Sequence, residues 1–271
     1  MTPKKVLIVG GGSAGWMAAA YLEAALRDNG QRPVEISLVE SPDVPRIGVG
    51  EATVPHIRHI LAVVGIDPLD FMKRVDGTFK QAIKYVNWLE GNGEYYYHAF
   101  DKFQVQPIDR AALRWHMSDR SVPFGETTSI QPVMCELGRT PIPQRGSQFG
   151  EPLKFAFHMN ALQFADMLCE IATARGVQHY LDHVTEVDMH DNGDIAAVLT
   201  KSGKRLEADL FIDCTGFAAL LAEKKLEVDW VDCSQWLLCD RAITMNVPYE
   251  HHYPGYVRPY TTASALSNGW V

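Results

Sequence analysis

Four apolar residues, Val6 to Val9, run straight into Gly10-Gly11-Gly12-Ser13-Ala14-Gly15, and nothing else in the sequence constrains the fold as tightly. An unbroken apolar run suits a strand buried on both faces of a parallel sheet. The Ala- and Leu-rich stretch from Trp16 to Arg27 predicts a helix, Asn29-Gly30 ends it, and Val34 to Val39 predicts a second strand closed by Glu40. Strand, glycine turn, helix, strand and acid together make a βαβ unit. In its G-x-G-x-x-G spacing, Gly10 permits the tight turn, Gly12 lets backbone approach a pyrophosphate, and Gly15 lets the helix pack close to the strand. The helix N-terminus that follows offers free N–H groups and a positive dipole end to phosphates. Glu40 is placed to accept both hydroxyls of a ribose and to repel a 2′-phosphate. In that context the motif predicts dinucleotide binding; this unit alone leaves FAD and NAD both open.

Beyond the unit, Gly and Pro between Pro42 and Pro55 predict an ordered loop, and a helical pattern resumes from His56 to Val64. The chain from Thr78 to Gln148 is aromatic and rich in turns, with Tyr95-Tyr96-Tyr97 and Phe103-Gln104-Val105 read as strands of a second layer. Asn160 is a good N-cap for a helix reaching Ala174, and Gly176 is placed to end it. Val177–Leu181, Val184–Met189, Ile195–Thr200 and Leu206–Ile212 read as four strands, with hairpin turns at Asp191-Asn192-Gly193 and Ser202-Gly203. No repeat or flexible linker separates these parts, so two interleaved subregions are expected.

Composition removes several classes of function. With 25 basic against 33 acidic residues and a net charge of −8, the 271-residue chain has no basic stripe for nucleic acid. No apolar run approaches the roughly 20 residues a membrane span needs, and the first strand begins almost at Met1, so neither a membrane segment nor a signal peptide is expected. The five cysteines are scattered without C-x-x-C spacing, which predicts reduced thiols in a cytoplasmic protein and no metal site.

The later helix, the meander and the run Phe211-Ile212-Asp213-Cys214-Thr215-Gly216 resemble the p-hydroxybenzoate-hydroxylase-like flavoproteins, in which a strand ending in a small-residue turn returns to the nucleotide. Four passages carry a closer resemblance, to the flavin-dependent tryptophan halogenase family, over essentially the whole chain. Gly10 to Ala19 reads GGGSAGWMAA. Ile47 to Pro55 reads IGVGEATVP, similar to the family's flavin strap. Gly77 to Trp88 reads GTFKQAIKYVNW, the segment that holds the family's essential lysine, here Lys80. Gly269-Trp270-Val271 looks like the opening of the W-x-W-x-I-P signature, cut after its second residue.

The resemblance implies an α/β, FAD-binding Rossmann-type fold with an interleaved β-rich substrate region, C-terminally incomplete. Residues 1–76 and 155–222 would form the FAD-binding region, and 77–154 and 223–271 a partial substrate region. FAD contacts are implied for Gly10, Gly12, Ser13, Ala14, Gly15, Glu40, Gly48, Val49, Gly50, Glu51, Ala52, Thr53, Thr215 and Gly216. For Glu51, a hydrogen bond near the flavin ring and a purely loop-bracing role both stay open. His98 and Phe100 resemble positions that stack on an indole, although an aromatic cluster is more often core.

The chemistry implied is hypohalous acid, made from halide and O₂ at FADH₂ that a separate NAD(P)H-dependent flavin reductase supplies. Lys80 would hold it by hydrogen bonding, or trap it as a haloamine, beside a small aromatic substrate such as tryptophan. Lysine suits this because its compact amine is nucleophilic when deprotonated and its pKa moves readily on burial. The rest of the W-x-W-x-I-P signature, a second flavin motif, the halide loop and the glutamate partner of the lysine would lie beyond Val271. The chain alone is therefore expected to bind FAD weakly and not to halogenate. The competing readings are an FAD-dependent aromatic monooxygenase and a non-catalytic FAD-binding remnant.

Overall fold

The run Lys5–Val9 forms the expected strand, and Val6, Leu7, Ile8 and Val9 are all buried. The computed structural model describes residues 3–27, 30, 33–46, 50–101, 108–142, 153–245, 247 and 257–271. In chain order the elements are β1 (Lys5–Val9), α1 (Ser13–Ala25), β2 (Glu35–Glu40), β3 (Gly50–Ala52), α2 (Ile57–Val64), α3 (Pro68–Arg74), β4 (Thr78–Lys80), β5 (Ala82–Val86) and β6 (Tyr95–Ala99). They continue with α4 (Ile108–Met117), α5 (Phe124–Thr128), α6 (Gln131–Glu136), β7 (Ala156–Asn160), α7 (Ala161–Ala174), β8 (Gln178–Leu181), β9 (Val184–Met189), β10 (Ile195–Thr200), β11 (Arg205–Glu207), β12 (Leu210–Asp213), β13 (Tyr260–Leu266) and β14 (Gly269–Trp270). The chain divides into two units. One comprises Met1–Gly50, Ile60–Val75 and Asn160–Leu238, the other Glu51–His59, Asp76–Met159 and Cys239–Val271.

The first unit is built on a parallel sheet of order β12-β1-β2-β8. Alternate residues of β1 serve two layers, as strand geometry requires. Leu7 and Val9 join Val39, Val187, Val198 and Leu221 in a core shared with the antiparallel sheet β11-β10-β9. On the helical side, α1 contributes Trp16, Ala19 and Ala20 and α7 contributes Phe164, Ala165, Met167, Leu168 and Ala172 as buried residues. The alanines let the two helices approach closely, and Ser13 Oγ donates to the Ala161 carbonyl at 3.3 Å.

Asn160 caps α7 as the sequence predicts: its Oδ1 accepts from the backbone N–H groups of Leu162 at 3.0 Å and Gln163 at 3.3 Å. Gly176, just past the helix, takes φ +96°. Asn160→Ala removes both side-chain bonds and is expected to cost about 1 kcal/mol, read as a lower urea midpoint with unchanged m.

One predicted strand behaves differently from the sequence reading. The stretch Leu206–Ile212 is not one strand but two, β11 and β12, broken at Ala208-Asp209. The Asp209 carboxylate accepts from the backbone N–H groups of Lys4 and Lys5 at 2.8 and 2.9 Å. That pin carries the chain out of the antiparallel sheet and into the parallel one. β8 pairs in parallel with β2. The proposed strand Phe103–Val105 lies outside the described residues.

The second unit holds a sheet of order β14-β13-β5-β6 and a smaller one of order β3-β7-β4. In the smaller sheet the registers Thr78↔His158, Phe79↔Phe157 and Lys80↔Ala156 sort the side chains by face. Phe79, Phe155 and Phe157 pack edge-to-face and stacked on one side, with centroids 5.3 to 6.5 Å apart. Thr78, Lys80 and His158 fall on the other. Among the described residues no helix is long and apolar enough to cross a membrane.

Candidate functional site

The glycine loop of the first unit is shaped by close backbone approach. Gly10 has φ +110°, and a Cβ there would stand 2.2 Å from the Cys214 carbonyl oxygen. A Cβ on Gly15 would stand 1.9 Å from the Gly10 oxygen, so the α1 start presses directly on the loop. Gly12 is different. It is the N-cap of α1 in extended geometry, with no side-chain cap, no acid in the first turn and open space where a Cβ would project. Ser13 and Ala14 form the first turn behind it. An exposed helix N-terminus, a loop without side chains and open space at Gly12 fit the pyrophosphate of a dinucleotide.

Glu40, at the end of β2, closes one side of this loop. Its carboxylate accepts from Trp16 Nε1 and Arg46 Nη2, His179 Nε2 lies 3.0 Å from Oε1, and a Cβ on Gly11 would collide with it. Burial opposes the charge of Arg46, but hydrogen bonds and Coulomb attraction to Glu40 and Asp166 outweigh it and raise its pKa.

Thr215 and Gly216 follow β12, beside Gly10. The Thr215 hydroxyl donates to Asp213 Oδ1 at 2.6 Å and accepts from the Leu220 N–H at 2.8 Å, so its side chain braces its own turn. Asp213 Oδ2 accepts from the N–H groups of Leu221 and Ala222. Burial would raise the Asp213 pKa, yet these bonds hold it below the usual carboxylate range. The Thr215 N–H also donates to Asp213 Oδ1, at 3.0 Å, and the Ala218 N–H reaches the Thr215 carbonyl at 3.3 Å, so backbone and side chain both brace the turn. Gly216, at φ +62°, is exposed with open space around it.

In the second unit, Lys80 is 3% exposed. Its register partner is Ala156, whose small side chain leaves room for a long one. The Lys80 amine lies 3.5 Å from the Ala52 carbonyl, the outer limit of a hydrogen bond, and 5.4 Å from the centre of the Phe100 ring, within cation–π range. Burial lowers its pKa, because the charged form loses most when water is removed. Ala52 belongs to β3, and the next residue, Thr53, locks that segment to β7: its N–H and hydroxyl both reach the Phe157 carbonyl at 2.9 Å, and the Phe157 N–H donates back to Thr53 Oγ1 at 3.0 Å. Glu51 is half-buried in the same strand. Gly50 begins it, whereas Gly48 and Val49 lie outside the described residues. His98 is exposed on β6, its ring 6.4 Å from Phe100 in an edge-on arrangement. The structure thus gathers Lys80, Ala52 and Phe100, with His98 at the margin.

Sequence reasoning passed over His158. It sits on the Lys80 face of the small sheet, with Nε2 at 3.0 Å from Thr261 Oγ1 and Nδ1 at 3.5 Å from Thr78 Oγ1. A histidine directly after Phe157, within the otherwise apolar run Phe155 to Met159, was the available signal. Burial, followed by the Lys80 charge, lowers its pKa to about 4, against an opposing backbone hydrogen bond at Phe79. Because the unfolded chain takes up this proton near pH 6.5, it binds more protons than the folded protein between pH 6.5 and 4. The stability contributed by His158 is therefore full above pH 6.5 and lost on acidification through pH 4, amounting to roughly 3 kcal/mol at its limit. Thermal melts at pH 7 and 4.5 should converge more closely for His158→Asn than for the unsubstituted chain.

A parallel sheet with a glycine loop at the first strand–helix turn, followed by an antiparallel meander, defines a Rossmann-type dinucleotide-binding class. The comparisons narrow this to a family. The tryptophan halogenase family profile matches residues 5–271. The chain is 36% identical to the tryptophan 7-halogenase RebH of Lentzea aerocolonigenes, over 98% of this chain and 52% of that protein. The crystal structure of a tryptophan halogenase from Shewanella frigidimarina superimposes with a TM-score of 0.91 at 34% identity, covering 99% of this chain and 53% of that one. A flavin-dependent halogenase from Xanthomonas campestris does so with a TM-score of 0.80 at 30% identity, covering 99% and 52%. The chain belongs to the tryptophan halogenase family, and it spans about half the length of these relatives.

Proposed function

We propose that the protein is a flavin-dependent halogenase of an indole-type aromatic, tryptophan or a close relative, with the pyrophosphate of FAD on the glycine loop of the first unit and Lys80 as the halogen-handling residue of the second. In terms of the chain, 1–76 and 155–222 serve FAD and 77–154 and 223–271 serve the substrate. The observation that carries this reading is a lysine buried to 3% exposure, its amine between a carbonyl of the strap strand and the face of Phe100. A buried lysine whose amine lies against a backbone carbonyl and an aromatic face is costly to fold around, and halogen capture gives it a purpose.

Gly10, Gly12, Gly15 and the N–H groups of Ser13 and Ala14 would hold the pyrophosphate, Glu40 the ribose, and the strap from Gly48 to Thr53 with the Thr215-Gly216 turn the remainder of FAD. When bound and reduced by a separate NAD(P)H-dependent reductase, FAD supplies hypohalous acid from O₂ and halide. Lys80 does the rest. As an ammonium it donates a hydrogen bond to the oxygen of hypohalous acid; as a free amine it forms an N–halogen bond while the oxygen–halogen bond breaks and water leaves. The lowered pKa of Lys80 makes the second form easier to reach near neutral pH. Phe100 and His98 line the approach for an aromatic ring. All five cysteines are unpaired, in keeping with a cytoplasmic enzyme.

Halogenation is expected to need, besides this chain, residues from the half of the relatives' length that it does not span. The test combines FAD, NADH, a flavin reductase, bromide and tryptophan or indole. Flavin binding without product is expected from the 271 residues alone, and brominated product once the chain is extended to the relatives' length. Product from the 271 residues alone would overturn that dependence, and NADH oxidation without a reductase would favour a hydroxylase instead.

A further inference from the structure

Halogen handling at Lys80 gives no role to Gln131, although Gln131 and Gln81 are the two polar residues among the described ones with no exposure at all. A buried amide is costly unless its donor and its acceptor are both met. Gln131 meets both. Its Oε1 accepts from the Asp101 N–H at 2.7 Å, and its Nε2 donates to the Lys154 carbonyl at 2.6 Å. The Lys154 N–H in turn donates to Asp101 Oδ2 at 3.1 Å, so amide and carboxylate close a ring of bonds between the two segments. Gln131 is itself anchored at the start of α6, where its N–H donates to Oγ of the buried Ser129 at 3.1 Å.

These bonds end beside the lysine. Asp101 directly follows Phe100, whose ring centre lies 5.4 Å from the Lys80 amine. Phe100 stands just past the end of β6, and its N–H donates to the carbonyl of Gln81, the residue after Lys80, at 3.0 Å. Two consecutive N–H groups thus fix the backbone that carries the ring, one on Gln81 and one on Gln131. With the second bond lost, the ring swings on the first. The distance leaves little room for that, because 5.4 Å is close to the roughly 6 Å limit of a cation–π contact.

Resting on the reading of Lys80 as the halogen-handling residue and of Phe100 as lining the approach, we propose that Gln131 is a positioning residue. Through the Asp101 N–H it sets the Phe100 ring against the Lys80 amine, and with it the place of the aromatic substrate beside the halogen. A bond between fixed groups costs no reorganisation when substrate arrives, and small misplacements of reacting partners cost much of the rate.

The experiment uses the chain extended to the relatives' length, loaded with reduced FAD, cleared of unbound flavin and mixed with O₂, bromide and tryptophan or indole. It reads brominated product per bound flavin oxidised. Unfolded protein holds no flavin, so a purely structural loss leaves this ratio unmoved. Gln131→Met, which keeps the volume but neither bond, is expected to lower the ratio about tenfold, the scale of one hydrogen bond, and Phe100→Leu to lower it at least as far. In the doubly substituted protein the two losses should not multiply, because Gln131 acts through Phe100. Gln131→Glu still offers an oxygen to the Asp101 N–H and should stay close to the unsubstituted ratio. An unchanged ratio in Gln131→Met, or losses that multiply in the double variant, overturns the proposal. Should Gln131→Met fail to fold, Gln131→Glu decides, and a ratio as low as that of Phe100→Leu overturns it. If Phe100→Leu itself keeps the unsubstituted ratio, or the unsubstituted protein yields no product, the reading of the lysine site falls and the positioning role with it.

Discussion

Lys80→Ala in the halogenase extended to the relatives' length is expected to abolish halogenated product, by roughly a thousandfold or more, while reduced flavin is still oxidised at the unsubstituted rate. The two readouts separate because the glycine loop proposed to hold FAD lies in the first unit and the lysine in the second. Lys80→Arg should not rescue, since a guanidinium neither forms a stable N–halogen bond nor surrenders its proton. Lys80→Met makes the opposite prediction for stability. It keeps the volume beside Ala156 and Phe100 but removes a buried ammonium, so this variant should be more stable by about 1 kcal/mol. The pH dependence follows with the same logic. The folded-state pKa of Lys80 lies below its unfolded value, so the unfolded chain binds more protons between the two. Stability then rises as pH climbs from the folded pKa toward 10.5, and the Met variant lacks that rise. Denaturant curves from pH 7 to 10 read it directly. Halogenated product from Lys80→Ala at the original rate would remove the residue from the chemistry.

What the sequence made legible is what short-range pattern can encode. The strand at Val6–Val9, the glycine turn, the helix after it and the Asn160 cap depend on residues within a few positions of each other, and the elements fall where the pattern puts them. Partner choice was not local. Nothing in Gln178–Leu181 says that it pairs with β2, and the break at Asp209 depends on the N–H groups of Lys4 and Lys5, more than 200 positions earlier. The three helices between Ile108 and Glu136 escaped because their stretch reads as turns and scattered aromatics. Of the site in the second unit, Lys80 stood out only through its surrounding motif. His158 could not stand out at all, because its partner Thr261 is 103 residues away. The same holds for the groups around Glu40, which donate from α1 and from the segment after β2 and approach from β8.

Gly15→Ala and Gly12→Ala, three residues apart in one motif, are expected to fail in opposite ways. At Gly15 the added methyl would lie 1.9 Å from the Gly10 carbonyl oxygen and 3.5 Å from Cys214 Cβ. The loop cannot yield, because the Gly10 N–H is bonded to the Val39 carbonyl at 2.9 Å, the Cys214 N–H to the Val9 carbonyl at 2.8 Å, and Gly10 is itself packed on Cys214. Either α1 lifts off the sheet or β1 shifts between its two neighbours. Overpacking against fixed backbone of this kind costs about 3 kcal/mol or more, a large share of the 5–15 kcal/mol that holds a typical domain together, and the melting temperature should fall by about 10 °C. At Gly12 the methyl meets nothing within 4 Å, and φ of −72° suits any residue. The only structural loss is a slightly poorer N-cap, less than about 1 kcal/mol, so the melt should barely move. The methyl would nevertheless stand in front of the helix N-terminus, where a pyrophosphate must approach the backbone, and FAD affinity should drop by about tenfold or more. Thermal melts and flavin titrations on the two variants give the four numbers needed. If Gly12→Ala binds FAD as well as the unsubstituted chain, the phosphates do not sit on this loop.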